Sequence, residues 1–230
     1  MTWLDDVRAA LEPAGLNQLG VIGRDRYDAS APPELRARNV HPGARSIVVV
    51  GSGGRAHWER FLEWVAADPV GRLARRPHPL DDFCAEVFAG LDRLWEGCRV
   101  VFPTFRAPLR LDFVKLGELA GLGRRSEQIL ILVGDRFGPW LALRAAVFAP
   151  HELPESTLPR HPCTGCPAPC LQAVAPAGIV DSASHLRARE ACIMAPAEIY
   201  LPLQRMYHYD RAAGRRALCA LYGVADEVAA

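Results

Sequence analysis

The sequence has almost no lysine and almost no excess of charge. Lys115 is the only lysine, and the basic and acidic side chains of the 230 residues nearly cancel, which leaves a formal net charge of +1. A near-neutral chain offers no bulk electrostatic attraction for a nucleic acid or for an anionic membrane surface. We therefore expect neither a nucleic acid nor a membrane as a partner.

Long hydrophobic runs are also missing. No apolar run approaches the roughly 20 residues of a membrane-spanning helix. The first residues, MTWLDD, lack the basic and apolar regions of a secretory signal. These features predict a cytoplasmic protein. In a reducing compartment, an odd count of seven cysteines indicates metal or redox chemistry rather than a disulfide framework.

Several well-known catalytic patterns are absent. The sequence contains no G-K-[ST] phosphate loop, no H-E-x-x-H zinc helix and no nucleophile elbow. His57, His78 and His185 have no partner at a metal-ligand spacing, so we interpret each as a surface or hydrogen-bonded histidine. No catalytic residue is therefore assigned from the sequence.

The apolar residues that are present predict a mixture of strands and helices. Residues 46–50 (SIVVV) are the clearest strand, a β-branched run typical of a buried one, and residues 128–133 (QILILV) are interpreted as another. Helical spacing predicts helices over residues 2–14, over 111–120 and within 197–223. This mixture predicts an α/β or α+β sandwich.

Changes in composition divide the chain into three predicted parts. Residues 1–150 hold the strands and helices of the main α/β domain. A proline-rich stretch without periodicity then leads into a cysteine-rich module, and the two together occupy residues 151–195. Residues 196–230 are predicted to form a helical tail.

The cysteine-rich module contains a loop with an unusual density of thiols. Cys163, Cys166 and Cys170 lie within eight residues, separated by prolines and a glycine. Thiolates on a tight loop can point at one soft metal centre. A fourth ligand is needed; we place Cys192, at the end of a predicted short helix, first, followed by Cys219 and then by His161.

Several segments, in this order, resemble the epoxyqueuosine reductases and related corrinoid-dependent reductases. They are PGARSIVV at 42–49, KLGELAGLG at 115–123, ILI at 129–131, FGPW at 137–140 and the cysteine loop, which is followed by PAGIV at 176–180. The resemblance covers roughly residues 15–195. It is carried by the order of the segments, because each of them alone is unspecific.

The resemblance implies a fold, a cofactor and an activity. The fold is a flavin-reductase-like or nitroreductase-like sandwich that binds cobalamin or a flavin through residues 1–150, with Gly121 and Gly123 as cofactor-binding residues. A ferredoxin-like module in this family passes electrons from iron–sulfur clusters to cobalt, and the reduced cobalt reduces an epoxide or a carbon–halogen bond. A small-molecule cofactor and a redox partner protein are the implied partners.

The chain also departs from this family. The family carries an acidic residue, a proposed proton donor, upstream of the helix that ends in A-G-L-G, where this chain reads FRAP at 105–108. A second C-x-x-C module is absent. Neither epoxyqueuosine reduction itself nor binding of a tRNA is therefore expected of this chain.

The cysteine loop resembles the first half of a two-cluster ferredoxin motif, C-x2-C-x2-C-x3-C-P, whose fourth cysteine binds the other cluster. The spacing here is C-x2-C-x3-C, and Val174 stands in the fourth position. Our preferred interpretation is one 4Fe–4S cluster held by Cys163, Cys166, Cys170 and Cys192. A zinc site with the same ligands, or a loop that binds nothing, remains open. The predicted function is an iron–sulfur redox protein, with a non-catalytic cobalamin or tetrapyrrole carrier or a zinc-stapled interaction domain as alternatives.

Overall fold

The computed structural model describes residues 2–103, 111–194 and 200–228. Segment 105–108 lies outside them, as do residues 197–199 of the predicted tail helices. The α-helices in the described part are α1 (Trp3–Leu11), α2 (Arg24–Asp28), α3 (Ala37–Val40), α4 (Ala56–Ala67), α5 (Pro79–Ala89), α6 (Phe113–Leu119), α7 (Pro169–Gln172), α8 (Ser182–Glu190), α9 (Pro202–Tyr209) and α10 (Arg211–Leu221). None of the helices in these ranges is long and apolar enough to span a membrane.

The strands are β1 (Gln18–Gly23), β2 (Ser46–Gly53), β3 (Arg99–Val101), β4 (Arg124–Arg125), β5 (Leu132–Val133) and β6 (Leu141–Ala149). Short 3-10 turns occur at Glu12–Ala14, Pro33–Leu35 and Asp92–Trp95, and a π-helical turn occurs at Val70–Ala74. The predicted mixture of helices and sheet is therefore confirmed.

The main sheet has the strand order β1-β2-β6-β3, and all three neighbouring pairs are antiparallel. The strand predicted at 46–50 is confirmed as β2, which lies between β1 and β6 and is buried along its whole length. Ile47 and Val49 enter one hydrophobic cluster, whereas Val48 and Val50 enter another. Because successive side chains of a strand point to opposite faces, β2 supports a core on both sides of the sheet.

The strand predicted over residues 128–133 is largely wrong. Only Leu132–Val133 is a strand, paired with Arg124–Arg125, and residues 127–129 form a turn. The Ser126 hydroxyl accepts hydrogen bonds from the backbone N–H groups of Gln128 and Ile129. Leu130 then adopts a left-handed conformation with φ of 56°. Residues 128–131 are therefore not extended, although they are mostly apolar. The hydrogen bonds of the Ser126 side chain to the backbone favour a turn there instead.

The C-terminal helices pack against the main body of the chain. Tyr207 of α9 and Leu218 of α10 share a hydrophobic cluster with Trp58 and Phe61 of α4. At Gly214 a Cβ would collide with the backbone of Tyr207, so the close approach of α9 and α10 requires glycine at this position. This packing brings α9 next to α4 and α5, where a polar pocket forms.

Candidate functional site

The cysteine loop is a sequence of tight turns. The Cys166 N–H bonds to the Cys163 carbonyl at 3.2 Å, and the Ala168 N–H bonds to the Cys166 sulfur at 3.3 Å. Gly165 and Ala168 both have a positive φ, of 74° and 52°. The chain therefore turns tightly between Cys163 and the start of α7.

Helix α8 places Cys192 next to the cysteine loop. The helix begins with a capping box in which Asp181 and Ser184 satisfy each other's backbone N–H groups, and Cys192 follows the helix end by two residues. Cys192 packs against a small hydrophobic cluster that contains Cys170 of the loop. The other buried members of this cluster are Ile129, Val133, Val174 and Ala188.

Two of the four cysteines predicted as ligands, Cys170 and Cys192, have raised pKa values. Burial raises the pKa of the Cys192 thiol, and charge on Cys170, Cys166 and Cys163 would raise it further. Burial also raises the pKa of the Cys170 thiol, and charge on Cys166 and Cys163 again adds to this. We call this group, Cys163, Cys166, Cys170 and Cys192, the four-thiol site.

The two other candidates for a fourth ligand are Cys219, which lies away from the loop, and His161, which forms a hydrogen bond within it. Cys219 is buried in the cluster formed by α4, α5, α9 and α10, and its pKa is influenced by burial and by Asp226 and Arg215 rather than by another thiol. His161 accepts a hydrogen bond from the Cys163 N–H through Nδ1 at 3.3 Å. Cys192 packs near Cys170 and His161 contacts Cys163, whereas Cys219 lies apart from the loop.

The four-thiol site offers four thiolate donors, the ligand type that both zinc sites and iron–sulfur clusters use. Among the residues that the structure describes, no three His, Cys, Asp or Glu side chains are close enough to hold a single metal ion. A zinc ion with Zn–S distances of about 2.3 Å requires sulfur atoms about 3.8 Å apart. A cubane cluster is larger than one ion, so its four thiolates stand farther apart.

Val174, where the family motif has a cysteine, is 4% exposed and belongs to the hydrophobic cluster beneath the loop. Packing therefore accommodates an apolar side chain at position 174.

Ser126, which the sequence reasoning did not select, lies beside the loop with its Oγ at 3.3 Å from the Cys163 Sγ. A serine within the polar stretch RRSEQ at 124–128 gave no pattern that would have indicated this contact.

The two glycines predicted to bind a cofactor pack against the chain's own backbone. At Gly121, which has a φ of 76°, a Cβ would lie 2.6 Å from the Thr157 carbonyl oxygen. At Gly123, a Cβ would lie 2.6 Å from the Val133 carbonyl oxygen. Close backbone approach therefore explains the need for glycine at both positions, and their contact with a cofactor stays a prediction.

A second polar region, the Arg144 pocket, lies between α5, β6 and α9. It is a cavity of about 160 Å³ lined by His78, Leu80, Asp81, Arg144, Tyr207, His208 and Arg211. Arg144 is the extra residue of a bulge in β6, since Val50 pairs with Ala145 while Gly51 pairs with Leu143. The bulge directs the side chain toward Ser52, whose Oγ accepts from the Arg144 Nε at 3.1 Å.

Two histidines next to this pocket are held neutral. His57 is 1% exposed and is hydrogen-bonded rather than at the surface, since its Nδ1 lies 2.7 Å from the Ala14 carbonyl oxygen. Burial, and then the charge of Arg144, lowers the pKa of both His57 and His208 to about 3. The Nε2 atoms of both rings are buried without a hydrogen-bond partner among the described residues.

No protein-family model matches the sequence, and no curated protein matches it. Among solved structures, the B12-trafficking protein CblC of C. elegans is similar over 96% of both chains, with 12% identity and a TM-score of 0.66. Epoxyqueuosine reductase from Streptococcus thermophilus is similar over 76% of this chain and 52% of its own, with 12% identity and a TM-score of 0.51. The expected resemblance to the epoxyqueuosine reductase group is thus confirmed at the level of the fold, although this chain spans about half of that reductase.

Proposed function

We propose that this protein is an iron–sulfur redox protein of the corrinoid-dependent reductase type. Cys163, Cys166, Cys170 and Cys192 would hold one 4Fe–4S cluster, which would supply electrons for a cobalamin-like or flavin cofactor. In this proposal residues 1–150 are the cofactor domain with a flavin-reductase-like or nitroreductase-like fold, residues 151–195 are the degenerate ferredoxin-like module, and residues 196–230 are the helical tail. Gly121 and Gly123 remain the proposed contacts to that cofactor.

The observation that carries the proposal is the gathering of four thiols from two separate segments. Cys192 packs against the hydrophobic cluster that contains Cys170 of the loop, and charge on the three loop thiols would raise the pKa of Cys192. Uncompensated thiolates repel one another, whereas a bound iron cluster offsets their negative charge. Thiolates are also the ligands that iron–sulfur clusters use.

The chain's own residues define what the site does. The turns at Gly165 and Ala168 hold the loop in place. The hydrophobic side chains around Val174 and Ala188 close the inner side of the loop to water. When bound, a 4Fe–4S cluster supplies one-electron transfer. Cys163 and Cys166 are less buried than Cys170, so the cluster would be approached from their side by an electron donor.

The cofactor part of the proposal is supported by the fold, since a B12-trafficking protein matches this chain from end to end. That match also favours a second candidate function, a non-catalytic carrier of cobalamin or another tetrapyrrole. A carrier needs the cofactor but not the cluster. Adding cobalamin to the protein and recording its visible spectrum tests both candidates, because binding shifts the cobalamin bands.

Anaerobic purification followed by a visible spectrum tests the cluster. We expect a broad band near about 400 nm that dithionite bleaches, typical of thiolate-bound iron–sulfur clusters. The band is expected to be lost in Cys163→Ala and retained in Cys98→Ala, a control that removes a thiol outside the site. A colourless wild-type protein containing neither iron nor zinc would contradict the proposal, and a colourless protein with one zinc per chain would support the zinc-stapled interaction domain instead.

A further inference from the structure

Ser126 is a buried hydroxyl directly beside the four-thiol site. It follows β4, is 2% exposed, and its Oγ lies 3.3 Å from the Cys163 Sγ. The turn that carries it is closed on both sides. The Ser126 N–H donates to the Ile131 carbonyl at 2.8 Å, and the Leu130 N–H donates to the Ser126 carbonyl at 3.0 Å. The hydroxyl is therefore held in place by backbone bonds.

The hydrogen bonds around Ser126 determine the direction of the contact with sulfur. A hydroxyl oxygen has two lone pairs and one proton. The N–H groups of Gln128 and Ile129 donate to Ser126 Oγ at 3.2 and 3.3 Å, which uses both lone pairs. The remaining O–H proton has the Cys163 sulfur as its partner, so Ser126 is the donor and the sulfur is the acceptor.

We propose that Ser126 is a positioning residue that donates a hydrogen bond to the metal-bound Cys163 thiolate and raises the reduction potential of the cluster. This inference rests on the proposed function, since it requires a bound cluster. A donor to a ligating sulfur draws electron density away from the metal. It therefore favours the reduced cluster, which carries one more negative charge, and hydrogen bonds to sulfur are among the factors that set such potentials.

The proposal is tested by redox titration of the purified holoprotein. Dithionite delivers one electron to each cluster in the presence of mediator dyes, and the bleaching of the visible band gives the midpoint potential. We expect Ser126→Ala to shift the potential to a more negative value with the same iron and sulfide content per chain. Ser126→Thr, which keeps the hydroxyl, is expected to have the wild-type potential.

Ser46→Ala is the matched control. Ser46 is 1% exposed, and its hydroxyl accepts a hydrogen bond from the Leu153 backbone N–H at 3.1 Å. This variant loses a buried hydroxyl of the same kind and is expected to keep the wild-type potential. A merely structural role for Ser126 would change the amount of bound iron or the folding of the chain, but not the potential of a fully loaded cluster.

The possible results distinguish a failure of the proposed role of Ser126 from a failure of the proposed iron–sulfur cluster. Full iron content with an unchanged potential in Ser126→Ala would overturn the role of Ser126 and leave the cluster in place. If Ser126→Ala fails to fold, Ser126→Thr decides: a potential shifted from the wild-type value at full iron content would contradict the hydrogen bond. A wild-type protein without iron would overturn the cluster and the role of Ser126 together.

Discussion

The four-thiol site and the Arg144 pocket are built in opposite ways. Three of the four thiols come from one short loop, and the hydrophobic cluster beneath the loop brings in the fourth. The Arg144 pocket instead joins side chains from α5, β6 and α9 and leaves the histidine Nε2 atoms buried without partners in the described part of the chain. One site is defined by local spacing, whereas the other exists only because distant segments pack together.

The two sites also differ in what their charges require. Thiolates that lie together need a cation to offset their repulsion, and burial makes that need greater. In the Arg144 pocket the positive charge is part of the protein, and it adds to burial, the larger cause, in lowering the pKa of His57 and His208. The first site is therefore expected to respond to metal removal and the second to a change of pH.

The largest expected effect is a difference between two cysteines. Cys192→Ala removes a ligand of the proposed cluster, so we expect loss of essentially all bound iron in anaerobically purified protein. Cys219→Ala is the matched control, because Cys219 lies in the hydrophobic cluster formed by α4, α5, α9 and α10, and full iron content is expected. Iron analysis of both variants measures this. Iron loss in Cys219→Ala with retention in Cys192→Ala would reverse the ligand assignment.

The second prediction concerns pH and stability. The pKa of His57 falls from an ordinary 6.5 to about 3 on folding, so the unfolded chain binds a proton at pH values where the folded chain does not. The same holds for His208. Stability is then complete above about pH 6.5 and falls as the pH decreases toward 3, with a slope on the order of 1.4 kcal/mol per pH unit for each histidine.

Denaturant unfolding between pH 7 and pH 4 measures this slope. His57→Asn removes the titrating ring while its amide can still donate to the Ala14 carbonyl, so we expect a shallower slope by about 1.4 kcal/mol per pH unit. A variant slope equal to that of the wild type would show that His57 titrates normally and would remove the contrast between the two sites.

A smaller effect is expected from the charge of Arg144. Arg144→Gln keeps a polar side chain at the bulge but removes the positive charge that lowers the pKa of His57 and His208, so both pKa values are expected to rise. Burial, the larger cause, is unchanged, and the values stay below 6.5. NMR titration of the histidine ring protons measures this, with Arg60→Gln, an exposed arginine paired with Glu63, as the control.

The smallest effect is predicted for the position where the family motif has a cysteine. Val174→Cys restores that residue, but Val174 is packed in the hydrophobic cluster beneath the loop and the second cluster's other ligands are missing. A buried cysteine behaves as a small apolar side chain. We expect unchanged iron content and a small change in thermal stability. Additional iron per chain would show that Val174 faces a second metal site.

The same contrast explains how much the sequence predicted. The central strand β2 followed from its β-branched run, and the loop cysteines followed from their spacing. The strand over 128–133 failed because Ser126 bonds to the backbone of the following turn, which apolar periodicity does not reveal. Arg144 was missed as well, although an arginine within the apolar strand Leu141–Ala149 was the available indication.

The most direct test is the iron and acid-labile sulfide content of the wild-type protein purified without oxygen. One 4Fe–4S cluster in the four-thiol site predicts about four iron and four sulfide per chain. The same preparation should contain no stoichiometric zinc. Protein that contains neither iron nor sulfide after anaerobic reconstitution would contradict the assignment of Cys163, Cys166, Cys170 and Cys192 as cluster ligands.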